Sequence, residues 1–168
     1  MKIRASHILF VLGMSSMSSA VLAENECRLA LDDDKDQVSF EACKVQAEGG
    51  NRSAQFEYAQ ILMFGTGREH HAEEALAWYR RSARQGHLLA QVILGRILSD
   101  QKSGVALDEP EAYAWWSVSK QAEAAAQLWS RLSKEQQLKA KSLADEYIAN
   151  YSSRKRSQSA APMSKPGL

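Results

Sequence analysis

The chain reads as all-α, a right-handed solenoid of stacked antiparallel helix hairpins, and three observations say so. A ten-residue block recurs after 36 positions, a second block recurs after 37, and Gly, Asp or Pro punctuates the joints between them. Periods of about 20 to 50 residues mark supersecondary units that cannot bury an apolar face alone and stack on copies of themselves.

The first block is Ser53-Ala54-Gln55-Phe56-Glu57-Tyr58-Ala59-Gln60-Ile61-Leu62, which aligns with Leu89-Ala90-Gln91-Val92-Ile93-Leu94-Gly95-Arg96-Ile97-Leu98. The second is Glu74-Ala75-Leu76-Ala77-Trp78-Tyr79-Arg80-Arg81-Ser82, which aligns with Glu111-Ala112-Tyr113-Ala114-Trp115-Trp116-Ser117-Val118-Ser119. Gly67 and Gly104 already show the larger offset, so the extra residue falls in a turn around residues 101–103. Within the blocks the apolar groups return every three or four positions, as in Ala72, Ala75, Leu76, Tyr79 and Ala83, which places them on one stripe of a helix. Gly86 ends that helix with a residue suited to the left-handed conformation. Pro110 follows Asp108 at the start of the equivalent helix, where its missing N–H costs nothing. Small residues at Ala54, Ala59, Ala90 and Gly95 let helix axes approach closely.

Ala54-Gln55-Phe56 with Ala59, Gly65-Thr66-Gly67, Glu74-Ala75-Leu76-Ala77-Trp78-Tyr79 and Ala83-Arg84-Gln85-Gly86-His87 closely resemble the Sel1-like repeat, a relative of the tetratricopeptide repeat. The second copy resembles it through Ala90-Gln91, Leu94-Gly95, Gly104-Val105 and Ala112-Tyr113-Ala114-Trp115-Trp116. Three positions depart from the pattern: Glu69 stands where Pro is frequent, Gln101 replaces the first turn glycine, and the closing Gln-Gly is missing near residues 120–123. The resemblance implies adaptor or scaffold work in assembling multiprotein complexes, in bacteria often at the cell envelope.

Extension in both directions divides the chain. An N-terminal cap occupies residues 24–52, repeats occupy 53–88 and 89–122, and a terminal helix pair occupies 123–151. Ala42 to Glu48 reads as the second helix of an earlier copy, closed by Gly49-Gly50-Asn51, with Cys43 at the position of Tyr79. Ser133 and Gln136 have capping-box spacing before the last helix, whose buried face is expected to be Ala140, Leu143, Ala144, Tyr147, Ile148 and Tyr151.

The ends carry a different message. Basic Lys2 and Arg4, an apolar stretch from Ile8 to Met14, a serine-rich passage and Val21-Leu22-Ala23 form an export signal cut before Glu24. Four serines interrupt its apolar run, which falls short of the roughly 20 residues needed to cross a bilayer. Cys27 does not directly follow a small apolar run, so lipidation is not expected. The expected location is the periplasm or the medium, without a membrane span. An oxidising compartment then assigns the pair Cys27 and Cys43 to a structural disulfide. It would enclose 15 residues, a loop for which chain entropy gives about 3 kcal/mol. Residues 152–168 are rich in Ser and Pro, carry Arg154-Lys155-Arg156 and no acid, and read as a disordered basic tail open to contact with an anionic glycan or lipid surface.

Composition narrows the function classes. The 168 residues are 45% hydrophobic and 24% charged with a formal charge of +1, the balance of a globular protein. Residues 24–151 hold 15 bases against 20 acids, the wrong sign for a nucleic-acid-binding core. His70-His71 beside Glu73-Glu74 does not match a metal-ligand template, His87 sits in an interhelical turn, and no cofactor is implied. Ser117-Val118-Ser119-Lys120 and Ser99-Asp100-Gln101-Lys102 formally fit S-x-x-K, but the accompanying K-T-G is absent. Trp78, Trp115, Trp116 and Trp129 recur at repeat positions as packing residues, with Trp116, which replaces Tyr79, expected to be partly exposed.

The sequence therefore points to an exported, non-catalytic adaptor that grips a protein partner on the concave face lined by the first helix of each hairpin. The groove candidates are Gln55, Gln60, Gln91 and Arg96. The competing class is a small hydrolase directed at the cell wall, or a penicillin- or peptidoglycan-binding protein.

Overall fold

A computed structural model describes residues 37–64 and 71–159. The expected export signal, Cys27, the Gly65-Thr66-Gly67 turn and residues 160–168 lie outside the described residues. Seven helices and no strand are present among the described residues. They are α1 (Gln37–Glu48), α2 (Arg52–Phe64), α3 (Ala72–Arg84), α4 (Leu88–Ser99), α5 (Glu109–Val118), α6 (Ala122–Trp129) and α7 (Lys134–Ser159). Successive helices pack in chain order from α1 through α6, the stacking that a repeat of paired helices requires.

The joints between units follow one design. At each, a left-handed residue lets the chain reverse while its N–H and the next satisfy carbonyls of the last helical turn. Gly50 donates to Ala47 O and Asn51 to Gln46 O; Gly86 donates to Ala83 O and His87 to Ser82 O. Both glycines have φ near +90°, at 89° and 86°. The third joint lacks its glycine, as the sequence showed, and yet keeps the geometry. Lys120 takes φ 61° and donates to Ser117 O, while Gln121 donates to Trp116 O.

Side chains then cap the helices after the first two joints, whereas α6 starts at Gln121 without a side-chain cap. Asn51 Oδ1 accepts the N–H groups of Ser53 and Ala54 at 2.9 and 3.1 Å. His87 Nδ1 accepts that of Ala90 at 3.3 Å, and Asp108 Oδ1 that of Glu111 at 3.0 Å. The expected capping box forms reciprocally, with Ser133 N donating to Gln136 Oε1 and Gln136 N to Ser133 Oγ.

Repeat positions also repeat their packing. Trp78 and Trp115 are buried, and each indole N–H donates one turn back, to Glu74 Oε1 at 3.4 Å and to Glu111 Oε1 at 3.1 Å. Glu111 is itself buried, and the Arg80 guanidinium pairs with both its oxygens, which joins α3 to α5. That bond holds the Arg80 pKa above its ordinary value. Aromatic rings continue the seam on the N-terminal side, where Tyr58 meets Phe40 at 5.3 Å and Trp78 at 5.4 Å.

The C-terminal end departs from expectation in two ways. α7 packs mainly on α5 and reaches α3, instead of pairing principally with the eight-residue α6. Lys139 lies 3.3 Å from Asp108 and the Tyr147 ring stacks 4.3 Å from Trp115, so α5 and α7 run in the same direction. Ala140 and Ala144 are buried on this seam, whereas Ile148 and Tyr151, expected inside, are exposed. Second, α7 runs to Ser159, so residues 152–159 are helical where a disordered tail was expected. No Gly or Pro interrupts the chain between Ser133 and Pro162, and an established helix propagates cheaply through residues of adequate propensity.

A left-handed conformation costs a side-chain-bearing residue roughly 1–2 kcal/mol, a strain that glycine avoids. Lys120→Gly is therefore expected to stabilise the protein by about 1 kcal/mol, read as a higher urea midpoint. A lower midpoint would contradict a left-handed backbone at this turn.

Candidate functional site

The two first helices, α2 and α4, superimpose their roles at a spacing of 36. Buried positions keep their character: Ala54 and Ala90, Gln55 and Gln91, Ala59 and Gly95, Ile61 and Ile97, Leu62 and Leu98. Open positions do not. Arg52, Ser53, Glu57 and Gln60 on α2 face the solvent side, and at the same places α4 carries Leu88, Leu89, Ile93 and Arg96. Leu88 and Leu89 are 58% and 57% exposed, and Arg96 is exposed two turns further along the same helix. Nothing in the helix stacking requires leucines there, because α2 stacks with Arg and Ser in the same positions.

This arrangement divides the four groove candidates. Gln60 is half-buried and Arg96 exposed on the open side, where a ligand can reach them. Gln55 and Gln91 are corrected: they are only 5% and 3% exposed and serve the fold. Gln55 Nε2 donates to Ala47 O and Gln91 Nε2 to Ala83 O, each at 3.1 Å. Gln55 Oε1 also accepts from Gln85 Nε2 at 2.8 Å. Burying an amide demands such partners, and the repeated glutamine marks a repeated internal bond.

A second feature adjoins the α4 row. Trp116 lies over Gly95, so closely that a Cβ there would sit 2.2 Å from the indole Nε1. The larger ring in the place of buried Tyr79 is accommodated because Gly95 has no side chain. Trp116, Tyr113, Lys120, Trp129 and the small residues Ala122, Ala125 and Ala126 line a slot of about 470 Å³. Tyr113 and Trp129 meet at 4.9 Å along one wall. The sequence signalled the partial exposure of Trp116, which the structure shows, and the alanine run opposite it was the sign of a slot.

The serine hydroxyls that formally fit a nucleophile have structural employment. Ser117 Oγ donates to Tyr113 O and Ser99 Oγ to Gly95 O, both at 2.8 Å, so each S-x-x-K serine bonds back to its own helix. His71 and Glu73 are exposed at the start of α3, while His70 lies outside the described residues. No group of three His, Cys, Asp or Glu that could hold a metal ion occurs among the described residues. Cys43 is fully buried, its Sγ 3.9 Å from the Ala54 carbonyl oxygen.

His87 does double duty, capping α4 and stacking on Phe56 at 4.5 Å. Burial, aided by the Arg52 guanidinium, lowers its pKa. The folded state thus binds this proton less tightly than the unfolded chain. The group's contribution to stability is complete above the ordinary imidazole range and is lost as pH falls through the lowered folded value. The urea midpoint is expected to drop between about pH 7 and pH 5, and His87→Asn, which can cap but cannot titrate there, is expected to show a shallower drop. Equal slopes would remove His87 from this role.

The fold has a solved counterpart. The crystal structure of c5321, a protective antigen present in uropathogenic Escherichia coli strains and displaying an SLR fold, superimposes with a TM-score of 0.69 at 25% sequence identity. The match covers 89% of this chain and 34% of that one, so the chain spans about a third of its length. No family model and no curated protein matches the chain. The chain is thus similar in fold to a Sel1-like repeat protein, an all-α solenoid of stacked helix pairs.

Proposed function

We propose that this protein is an exported, non-catalytic adaptor that binds an extended protein segment along the open side of α2 and α4. The observation that carries the reading is the exposed Leu88-Leu89 pair, with exposed Arg96 two turns along the same helix, at positions where α2 holds Arg52, Ser53 and Gln60. Exposed leucines with a cation on the same helix are the composition of a contact surface: the apolar groups supply area and the guanidinium supplies orientation. The Trp116 slot extends that surface with aromatic area. Gln60 and Arg96 are the polar contacts, and Gln55 and Gln91 support them from within.

Export to the periplasm or beyond rests on the first 23 residues of the sequence. A Cys27–Cys43 disulfide follows from that location, and it would staple the N-terminal unit, which has a neighbour on one side only. Buried Cys43 suits such a structural sulfur better than a reactive thiol.

The test is quantitative capture. The tagged full chain, purified from native envelope extracts, is expected to retain a protein partner, and Leu89→Asp combined with Arg96→Glu to reduce its recovery by about tenfold or more. Unchanged recovery with that double variant and with Gln60→Ala would overturn the assignment. The same purified protein is expected to show no free thiol when unreduced. Covalent labelling by a tagged penicillin that disappears in Ser117→Ala would overturn the adaptor reading in favour of a penicillin-recognising protein or cell-wall hydrolase.

A further inference from the structure

Where the second helices converge, the end of α3, the end of α5 and one side of α7 enclose a cleft of about 590 Å³. That volume falls within the roughly 300–1,000 Å³ of small-molecule sites. We propose that this cleft binds a carboxylated saccharide, a ligand for which every part of the wall has a use.

Among the positions on α7 that line it, Glu146, Tyr147, Asn150, Tyr151 and Arg154 recur at helical spacing and so share one side of the helix. Arg84 lines it from the last turn of α3. Both tyrosines are held in place. Tyr147 stacks on Trp115, and its phenol, pushed up to about 12 by burial and by the Glu111 carboxylate, stays neutral. Tyr151 packs on Gly86, where a Cβ would stand 2.8 Å from Cε2, so only glycine leaves room for this ring. The result is a cleft that sets polar groups beside aromatic surface and opens to solvent.

The chemistry of the wall selects among ligands. Two phenol rings offer flat apolar area against which the C–H face of a sugar can be buried. Asn150 and Glu146 are planar hydrogen-bonding groups suited to hydroxyls, one offering both donor and acceptor and the other accepting only. Arg84 is exposed and forms no ion pair among the described residues, and it supplies a guanidinium fork for a carboxylate. Glu146 can accept from hydroxyls, which an acidic peptide of glutamates or a polyphosphate does not offer, so the wall suits a ligand that carries hydroxyls as well as a carboxylate. The slot between α5 and α6 has no such planar polar groups and makes a poorer sugar site.

Apart from buried Gln91, the residues that line this cleft belong to second helices, so it stands apart from the exposed side of α4. The experiment is calorimetric titration of the full chain with tri-galacturonic acid, with neutral maltotriose and an acetylated Glu-Glu dipeptide as comparators. Tri-galacturonic acid is expected to bind about tenfold or more tightly than either comparator, and Arg84→Gln and Asn150→Ala each to weaken it by about tenfold. Both variants change exposed side chains and are expected to keep the wild-type thermal midpoint, and Leu89→Asp is expected to leave the titration unchanged. No binding of tri-galacturonic acid, equal binding of the dipeptide or of maltotriose, or insensitivity to Arg84→Gln would each overturn the proposal.

Discussion

The carboxamide of Gln91 reaches from the second turn of one helix to the last turn of the helix before it, and its bond to the Ala83 carbonyl fixes the angle between units. That same carbonyl accepts the N–H of left-handed Gly86, so turn and helix are tied to one atom. Gln55, Ala47 and Gly50 repeat the arrangement 36 residues earlier. A net hydrogen bond contributes only about 1 kcal/mol, but a buried carbonyl or amide left unpaired costs about 1–3 kcal/mol. The bond therefore acts by penalising every other crossing angle. Everything exposed on α2 and α4 inherits its position from this internal tie.

The third joint shows what happens without it. Lys120 stands in place of the turn glycine, and Ala125 occupies the position that Gln55 and Gln91 hold earlier, 34 residues after Gln91. Its side chain cannot return a hydrogen bond. α6 is short, and the burden of closing the array moves to α7, which packs on α5 through Ala140, Ala144 and Tyr147 and binds the joint before it with the Gln137 amide on Trp129 O and Leu132 O. This substitution of a long helix for a regular hairpin is also what creates the cleft beside Arg84. A regular third hairpin, set at the angle the glutamine imposes, would carry its second helix in a different relation to α3.

Most of the fold was legible in the sequence, because stacking repeats makes each buried position appear twice. The 36-residue alignment of Ala54 with Ala90 and Ala59 with Gly95 reported packing that the structure confirms, and the Ser133–Gln136 pair reported a cap. The same logic misled at the candidate site. A polar residue recurring at a fixed period, Gln55 and Gln91, reads as a repeated ligand contact when helix orientation is unknown, whereas recurrence is itself the sign of an internal bond. The open surface was written in positions that fail to recur, Arg52 against Leu88 and Ser53 against Leu89. The packing of α7 on α5 rather than on α6 had no local signal, since it depends on distant contacts such as Lys139 with Asp108.

Binding along α2 and α4 requires the glutamines inside and the divergent side chains outside, and one comparison separates them. Urea denaturation of Gln91→Leu and of Gln60→Leu removes an amide of the same size from the same type of helix. Gln91→Leu is expected to lose about 1–3 kcal/mol and Gln60→Leu to change by no more than about 0.5 kcal/mol. Equal losses, or the larger loss at Gln60, would contradict that division of roles.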